Sequence, residues 1–166
     1  FPVCGGCSFQ HLDYEYQFMI KKKQLLDIFN KIGNIKIDNI DYVFPAEEIF
    51  YYRNKMDFTF SPKRWLLNDV KYKSEDKSFA LGLHIPGRFD KILNIRDCMI
   101  QTKISNEILC LVQDLAKESK IIPYDKKTHK GFLRNLIIRN SEKTNEIMIN
   151  FVTSYEDRII LQPIVN

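Results

Sequence analysis

The chain has 166 residues, of which 45% are hydrophobic and 28% are charged, so the composition excludes a largely disordered protein. No apolar run approaches the roughly 20 residues that a membrane-spanning helix needs, and we therefore expect no membrane partner. The net charge of +4 is compatible with a nucleic-acid partner but does not by itself indicate one.

A first helix is predicted from Asp13 to about Ile32. Its apolar residues recur at spacings of three and four, which is typical of an amphipathic helix. Asp13 is suited to the N-cap position, and Gly33 is a natural stop.

Alternating side chains predict the first strands of a sheet. Tyr52–Phe60 is one strand, with an apolar face and a charged face, and Phe79–Ile85 is the next. The polar stretch Ser61–Lys77 between them is expected to be a long hairpin loop. Pro86-Gly87 predicts a turn, after which Lys91–Ile95 returns as a third strand.

A second helix is predicted from Thr102 to Glu118, where apolar residues line one face. Cys110 lies inside this helix, and we interpret it as a small buried thiol. The apolar face is expected to consist of Ile104, Ile108, Leu111, Val112 and Leu115.

Two further strands and a short tail complete the chain. Leu133–Arg139 and Glu146–Thr153 read as strands around a polar turn, and the tail from Asp157 to Asn166 starts like a helix that Pro163 weakens. The order predicts an α+β fold in one domain, with a mainly antiparallel sheet and two main helices packed on it.

The four cysteines are too few for a secreted disulfide scaffold. Cys4 and Cys7 flank two glycines, which let the backbone fold tightly around a ligand, and Cys98 follows a predicted strand. This pattern favours a metal or iron–sulfur site in a reducing compartment, so we expect a cytoplasmic protein. A redox C-x-x-C pair, half of a zinc site, and a plain buried thiol at Cys98 remain alternatives.

Cations and aromatic rings form a second cluster of interest, since cations bind phosphates and exposed rings stack on unpaired bases. This combination favours RNA over duplex DNA, although solvated strand edges would also explain it. The candidate RNA-facing residues are Arg53, Lys55, His84, Arg88, His129 and Arg134.

Patterns of nucleotide-binding and hydrolytic enzymes do not occur in the sequence. It contains no G-x-G-x-x-G, no P-loop and no G-x-S-x-G element. We therefore expect no nucleotide- or S-adenosylmethionine-binding domain within this chain.

Four blocks of the sequence, which begin at Cys4, Tyr52, Leu81 and Tyr124, follow one another along the chain. In that order they are similar to the elements C-G-G-C-x-x-Q-H, Y-R-N-K, L-G-F…D-C-x-x-Q and Y-D…H-x-G-x-L-R of one family. Together they resemble the RNA uracil-5-methyltransferase family, and specifically its iron–sulfur-bearing ribosomal RNA branch.

The resemblance implies that Cys4, Cys7 and Cys98 are three of the four ligands of a [4Fe–4S] cluster, with the first ligand three positions before Phe1. We therefore interpret the chain as the central domain of a longer enzyme and expect it to carry an incomplete ligand set. An OB-like domain would precede this domain and an S-adenosylmethionine-binding domain would follow it. The catalytic nucleophile and base would lie in the latter, and the fragment alone would be inactive.

The partner implied by the resemblance is RNA, with ribosomal RNA favoured over transfer RNA, and no obligate protein partner is inferred. A small iron–sulfur or redox module, and an RNA-binding module with structural zinc, are the alternative functions.

Overall fold

The computed structural model describes residues 3–66 and 77–165 and divides into two compact units. The first unit contains Cys7–Ile49. The second contains Val3–Gly6 and the described residues from Phe50 onward. The two cysteines of the N-terminal motif therefore belong to different units.

The first unit is built around helix α1, Tyr14–Asp27, which continues as a π-helical turn over Ile28–Ile32. These bounds confirm the predicted helix. Gly33 follows as expected, and its N–H donates to the carbonyl of Ile28 at 2.9 Å. The left-handed residue that ends the segment is Asn34, with φ 51°, because Gly33 itself keeps a right-handed conformation. Asp13 occupies the N-cap position without a side-chain capping hydrogen bond.

The second unit contains a six-stranded sheet with the order β2-β4-β3-β1-β5-β6. All neighbouring strands are antiparallel except β2 and β4, which are parallel. The strands are β1 Lys55–Ser61, β2 Arg64–Trp65, β3 Ala80–Ile85, β4 Arg88–Asn94, β5 Leu133–Asn140 and β6 Ile147–Thr153.

Strand β1 shows the predicted alternation, since Met56, Phe58 and Phe60 are all buried. It starts at Lys55, and Tyr52 before it is exposed. The predicted hairpin loop, 61–77, is described only in part. Its first half contains the short strand β2, and 67–76 lie outside the described residues.

The turn at Pro86-Gly87 is confirmed, but strand β4 begins at Arg88 rather than Lys91. Gly87 adopts a left-handed φ of 70°, so two residues suffice to reverse the chain. Arg88 consequently pairs with Ile85, and the strand starts three residues earlier than the apolar pattern indicated.

Helix α2, Lys103–Glu118, has the predicted bounds, with Thr102 as a side-chain N-cap that accepts from the N–H of Ser105 at 3.4 Å. Its predicted apolar face is confirmed only in part. Val112 is buried and Ile108 packs against the core, but Ile104 is 40% and Leu111 58% exposed. The buried face consists of Ser105, Leu109, Val112, Gln113 and Ala116.

The polar Gln113 explains this difference, because it points inward and is fully buried. Its Nε2 donates to the carbonyl of Leu81 at 3.0 Å and to that of Ile95 at 2.5 Å. A buried polar side chain that donates hydrogen bonds to backbone carbonyls cannot be recognised from the spacing of apolar residues.

Helix α3, Arg158–Val165, confirms the predicted tail helix and includes Pro163 in its last turn. Asp157 starts it by accepting from the N–H groups of Ile159 and Ile160 at 3.0 and 3.1 Å. Side chains of α3 pack against the cluster formed by β1, β3, β5 and α2. The α+β fold with a mainly antiparallel sheet is therefore confirmed. In the described part of the chain, no helix is both long and apolar enough to cross a membrane.

Candidate functional site

The N-terminal glycines serve close packing on strand β3. The N–H of Gly5 donates to the carbonyl of His84 at 3.1 Å, and a Cβ on Gly5 would lie 2.7 Å from that oxygen. A Cβ on Gly6 would lie 3.0 Å from Cδ1 of Leu83. The close approach to the backbone of β3 therefore requires glycine at position 5. The spacing of residues in the sequence did not indicate this requirement.

Cys4 has the surroundings of a thiolate ligand. It is half-buried against the hydrophobic cluster of the second unit, and its Sγ accepts the N–H of Gly6 at 3.3 Å. Thiolates that bind metals or iron–sulfur clusters receive hydrogen bonds of this kind, which tune the charge on sulfur.

Cys98 packs against the same hydrophobic cluster and is also half-buried. Its backbone is held by the side chain of Asn106 on α2, which bonds both the N–H and the carbonyl of Cys98. The structure thus places Cys4 and Cys98 on one cluster of the second unit, while Cys7 belongs to the first unit.

The remaining thiol, Cys110, is half-buried and donates to the carbonyl of Arg96 at 3.0 Å. This contact supports the structural interpretation of Cys110, although the thiol is less buried than expected. None of the four cysteines, all of which are described, forms a disulfide. Within 3–66 and 77–165, no group of three or more His, Cys, Asp or Glu side chains is arranged to hold a metal ion.

The fit to an iron–sulfur cluster therefore rests on the chemistry of the individual donors. Cys4 and Cys98 are thiols, half-buried in an apolar environment, and Cys4 receives a backbone hydrogen bond.

Arg53 and Lys55 lie at the start of β1 and are exposed. The Nε of Arg53 donates to the carbonyl of Lys55 at 3.1 Å, and Lys55 is opposite Arg139 in the register of β5. The start of β1 and the paired end of β5 therefore carry three cations. Thr59 lies four residues after Lys55 on β1. At about 3.3 Å per residue, the two are roughly 13 Å apart along the strand.

His84 and Arg88 lie near the β3–β4 turn. The Nε2 of His84 is 3.3 Å from the hydroxyl of Thr59, and its Nδ1 is buried without a partner of hydrogen-bonding geometry. Burial, reinforced by the positive charge of Lys126, lowers the pKa of His84 from 6.5. At neutral pH this ring is consequently a hydrogen-bonding group rather than a cation. Arg88 is exposed and pairs with Asp90 at 3.3 Å.

His129 and Arg134 are brought together by Tyr124. The hydroxyl of Tyr124 is 2.9 Å from Nδ1 of His129, and the guanidinium of Arg134 lies 4.8 Å from the centre of the Tyr124 ring. His129 adopts a left-handed φ of 58° before Gly131, whose φ is 107°. The tight loop and the start of β5 thus bring a phenol, an imidazole and a guanidinium together.

Sequence reasoning missed a groove beside this loop. Trp65, on the short strand β2, lies in a stretch expected to be a polar loop. The parallel pairing of β2 with β4 places Trp65 opposite Leu93, and the tryptophan lines the same groove as Phe89 and Tyr124. The signal in the sequence was the single tryptophan of the chain, directly preceded by Lys63-Arg64.

Curated proteins that are similar to this chain are named RNA methyltransferases. No protein-family model matches the chain. It is 38% identical over 165 residues to an uncharacterized RNA methyltransferase of Chlorobaculum tepidum. This alignment covers 98% of this chain and 34% of that protein. It is 45% identical over 154 residues to one of Bacteroides thetaiotaomicron, with 90% and 33% covered.

A solved structure agrees with these relatives. The Pyrococcus abyssi tRNA (uracil-54, C5)-methyltransferase, in complex with S-adenosyl-L-homocysteine, superposes with a TM-score of 0.66 at 29% identity. The match covers 94% of this chain and 33% of that one. These matches support the RNA uracil-5-methyltransferase family for this chain. The chain spans about one third of the length of the curated relatives it matches.

Proposed function

We propose that this chain is the central domain of an S-adenosylmethionine-dependent RNA (uracil-C5)-methyltransferase and that it contacts the RNA substrate. The observation that carries the proposal is the match, along nearly the whole chain, to one third of several RNA methyltransferases and of a uracil-C5 methyltransferase structure. The parent protein would act in the cytoplasm, with an OB-like domain before this one.

In such an enzyme the reaction proceeds by covalent catalysis. A cysteine adds to C6 of the uracil and C5 takes the methyl group. A base then removes the C5 proton while the C6–S bond breaks and releases the cysteine. S-adenosylmethionine supplies the methyl group when bound. We assign none of these roles to this chain. Its contribution would be to bind the RNA and to hold the cluster.

The cluster proposal assigns Cys4, Cys7 and Cys98 as ligands of a [4Fe–4S] group that organises structure. The test is iron and sulfide content of the full-length protein, purified without oxygen. Cys98→Ser should lower the iron content and the visible absorbance, whereas the matched control Cys110→Ser should leave both unchanged. Zinc in place of iron, or equal iron in both variants, would contradict the assignment.

For the RNA we propose ribosomal RNA rather than transfer RNA, from the resemblance of the cysteine motif to the ribosomal branch. The full-length protein should be given labelled S-adenosylmethionine with either 23S rRNA or bulk tRNA. We expect 5-methyluridine, identified by mass spectrometry of the digested RNA, in the ribosomal sample. Methylation confined to tRNA would overturn this choice of RNA, and no 5-methyluridine in either would overturn the proposed activity.

The six candidate RNA-facing residues lie in two places on the second unit. One is the cationic start of β1, and the other is the surface around the β3–β4 turn and the Tyr124 loop. Arg53→Ala and Arg134→Ala, one from each place, should each weaken RNA binding and reduce its salt dependence. Lys143→Ala, in the exposed turn before β6, is the matched control and should change neither.

A further inference from the structure

A groove of about 400 Å³ opens beside the Tyr124 loop, within the range of about 300–1,000 Å³ typical of small-molecule sites. The end of β1, strand β2, the start of β4 and residues 124–127 form its walls. Four aromatic residues line it. Phe60 is buried in the core, and the three more exposed rings are Trp65, Phe89 and Tyr124. None of them belongs to the residues already proposed to face RNA.

The charge of the groove is strongly asymmetric. Among the described residues, two carboxylates line it, and each is engaged: Asp90 with Arg88 and Lys91, and Asp125 with the N–H of Lys127 at 2.8 Å. The cations of the lining are Lys63, Arg64, Lys91, Lys126 and Lys127. Positive charge thus exceeds negative charge by three, which favours an anionic occupant.

The three rings differ in how much surface they offer. Lys91 Nζ lies 5.0 Å from the centre of the Trp65 ring, and Arg134 covers Tyr124 at 4.8 Å. Phe89 is 75% exposed, although it is a large apolar side chain at the mouth of a groove. An exposed ring that flanks lysines is the arrangement on which single-stranded bases stack.

We propose that this groove binds one unstacked nucleotide of single-stranded RNA, with its base on Phe89 and its phosphate facing Lys126 and Lys127. The inference rests on the proposed function, since it adds a nucleotide pocket to the RNA contact surface. An acidic protein segment would use the same lysines but would gain little from the exposed ring. Binding that depends on Phe89 therefore separates the two occupants.

Trp65 provides the measurement, because it is the only tryptophan of the 166-residue chain and lines the groove. A pentauridylate added to the chain should quench its fluorescence, and the titration gives the affinity. Phe89→Ala should weaken binding roughly 5- to 150-fold, the loss expected for one stacked base. Phe89→Tyr, which keeps a ring, should retain the affinity, and Phe89→Leu should behave like alanine.

Salt dependence tests the phosphate contact. The double variant Lys126→Ala with Lys127→Ala should reduce the slope of log affinity against log salt by roughly 0.7 per lost phosphate contact. Lys143→Ala serves as the control and should leave the slope unchanged. Because Phe89 and these lysines are exposed, circular dichroism should show an unchanged fold in every variant.

The proposal is wrong if Phe89→Ala binds pentauridylate as tightly as the original chain, or if no quenching occurs. Polyglutamate that quenches Trp65 equally well in both proteins would identify the groove as a site for acidic protein. Methyl transfer by the full-length protein is measured separately. Retained methylation with no groove binding refutes the groove alone, while groove binding without uracil methylation by the parent refutes the proposed activity and leaves the pocket standing.

Discussion

Asn106 holds the backbone of Cys98 on both sides. Its Oδ1 accepts the N–H of Cys98 at 2.9 Å, and its Nδ2 donates to the carbonyl of the same residue at 3.2 Å. The same Oδ1 also accepts from the buried amide of Gln101. Asn106 lies in the first turn of α2, so the position of Cys98 is tied to a helix rather than to its own loop.

Asn106→Ala should destabilise the second unit by about 1–3 kcal/mol, because two backbone groups of Cys98 and the amide of Gln101 lose their partner. Urea unfolding followed by circular dichroism measures this change. If Cys98 is a cluster ligand, the iron content of the full-length protein should fall as well.

The chain offers a closely matched control in Asn30. Its Oδ1 accepts from the N–H of Ile37 and its Nδ2 donates to the carbonyl of Ile37, both at 2.9 Å. Asn30→Ala therefore removes the same two types of bond in an exposed part of the first unit. Equal loss of iron in Asn30→Ala and Asn106→Ala would show that Asn106 does not act by positioning Cys98.

Gly5→Ala should cost about 1–3 kcal/mol, since its Cβ would lie 2.7 Å from a rigid backbone oxygen of β3 and the segment would have to move. Gly6→Ala is the comparison within the motif. Its Cβ would meet the end of the flexible Leu83 side chain at 3.0 Å, so a smaller loss is expected. Urea unfolding separates the two, and labelling with a thiol reagent should show Cys4 more reactive in Gly5→Ala. Equal stabilities would contradict the close-packing explanation.

Local patterns predicted most of the elements. The alternation of Met56, Phe58 and Phe60 identified β1, because one face of an antiparallel strand is buried and the period of two is read directly. The bounds of α1 and α2 also followed from spacing and capping residues. These features depend on neighbours in sequence, which is why they could be found without the fold.

Features that depend on distant segments could not be predicted. Trp65 reaches the groove because β2 pairs with β4, whose partner residues Ile92 and Leu93 are nearly 30 positions away. The requirement for glycine at Gly5 comes from the carbonyl of His84, on a strand far along the chain. The candidate cysteines were identified from resemblance and spacing, but their division between two units was not.

His84 should make stability depend on pH. Burial lowers its pKa in the folded state below 6.5, so the unfolded chain takes up the proton first. The stability that neutral His84 supports is complete above pH 6.5 and is lost as the pH falls from 6.5 through the folded-state pKa. Urea unfolding between pH 7.5 and pH 5 should show this loss, and His84→Gln should flatten the curve over that interval. Identical pH dependence in both proteins would mean that the ring is not protected from protonation.

Leu109 and Leu111 test the orientation of α2, where apolar spacing and structure disagree. Leu109 is fully buried in the core, whereas Leu111, which the spacing placed on the inner face, is 58% exposed. Leu109→Ala should therefore destabilise the chain by about 2–5 kcal/mol through the lost contacts and the cavity. Leu111→Ala should change stability by no more than about 0.5 kcal/mol, as is usual for surface positions. The two variants have the same chemistry and helix propensity change, so their difference in urea unfolding reports burial alone. A larger loss for Leu111→Ala would mean that the helix presents the face predicted from the sequence and that Gln113 does not bond β3.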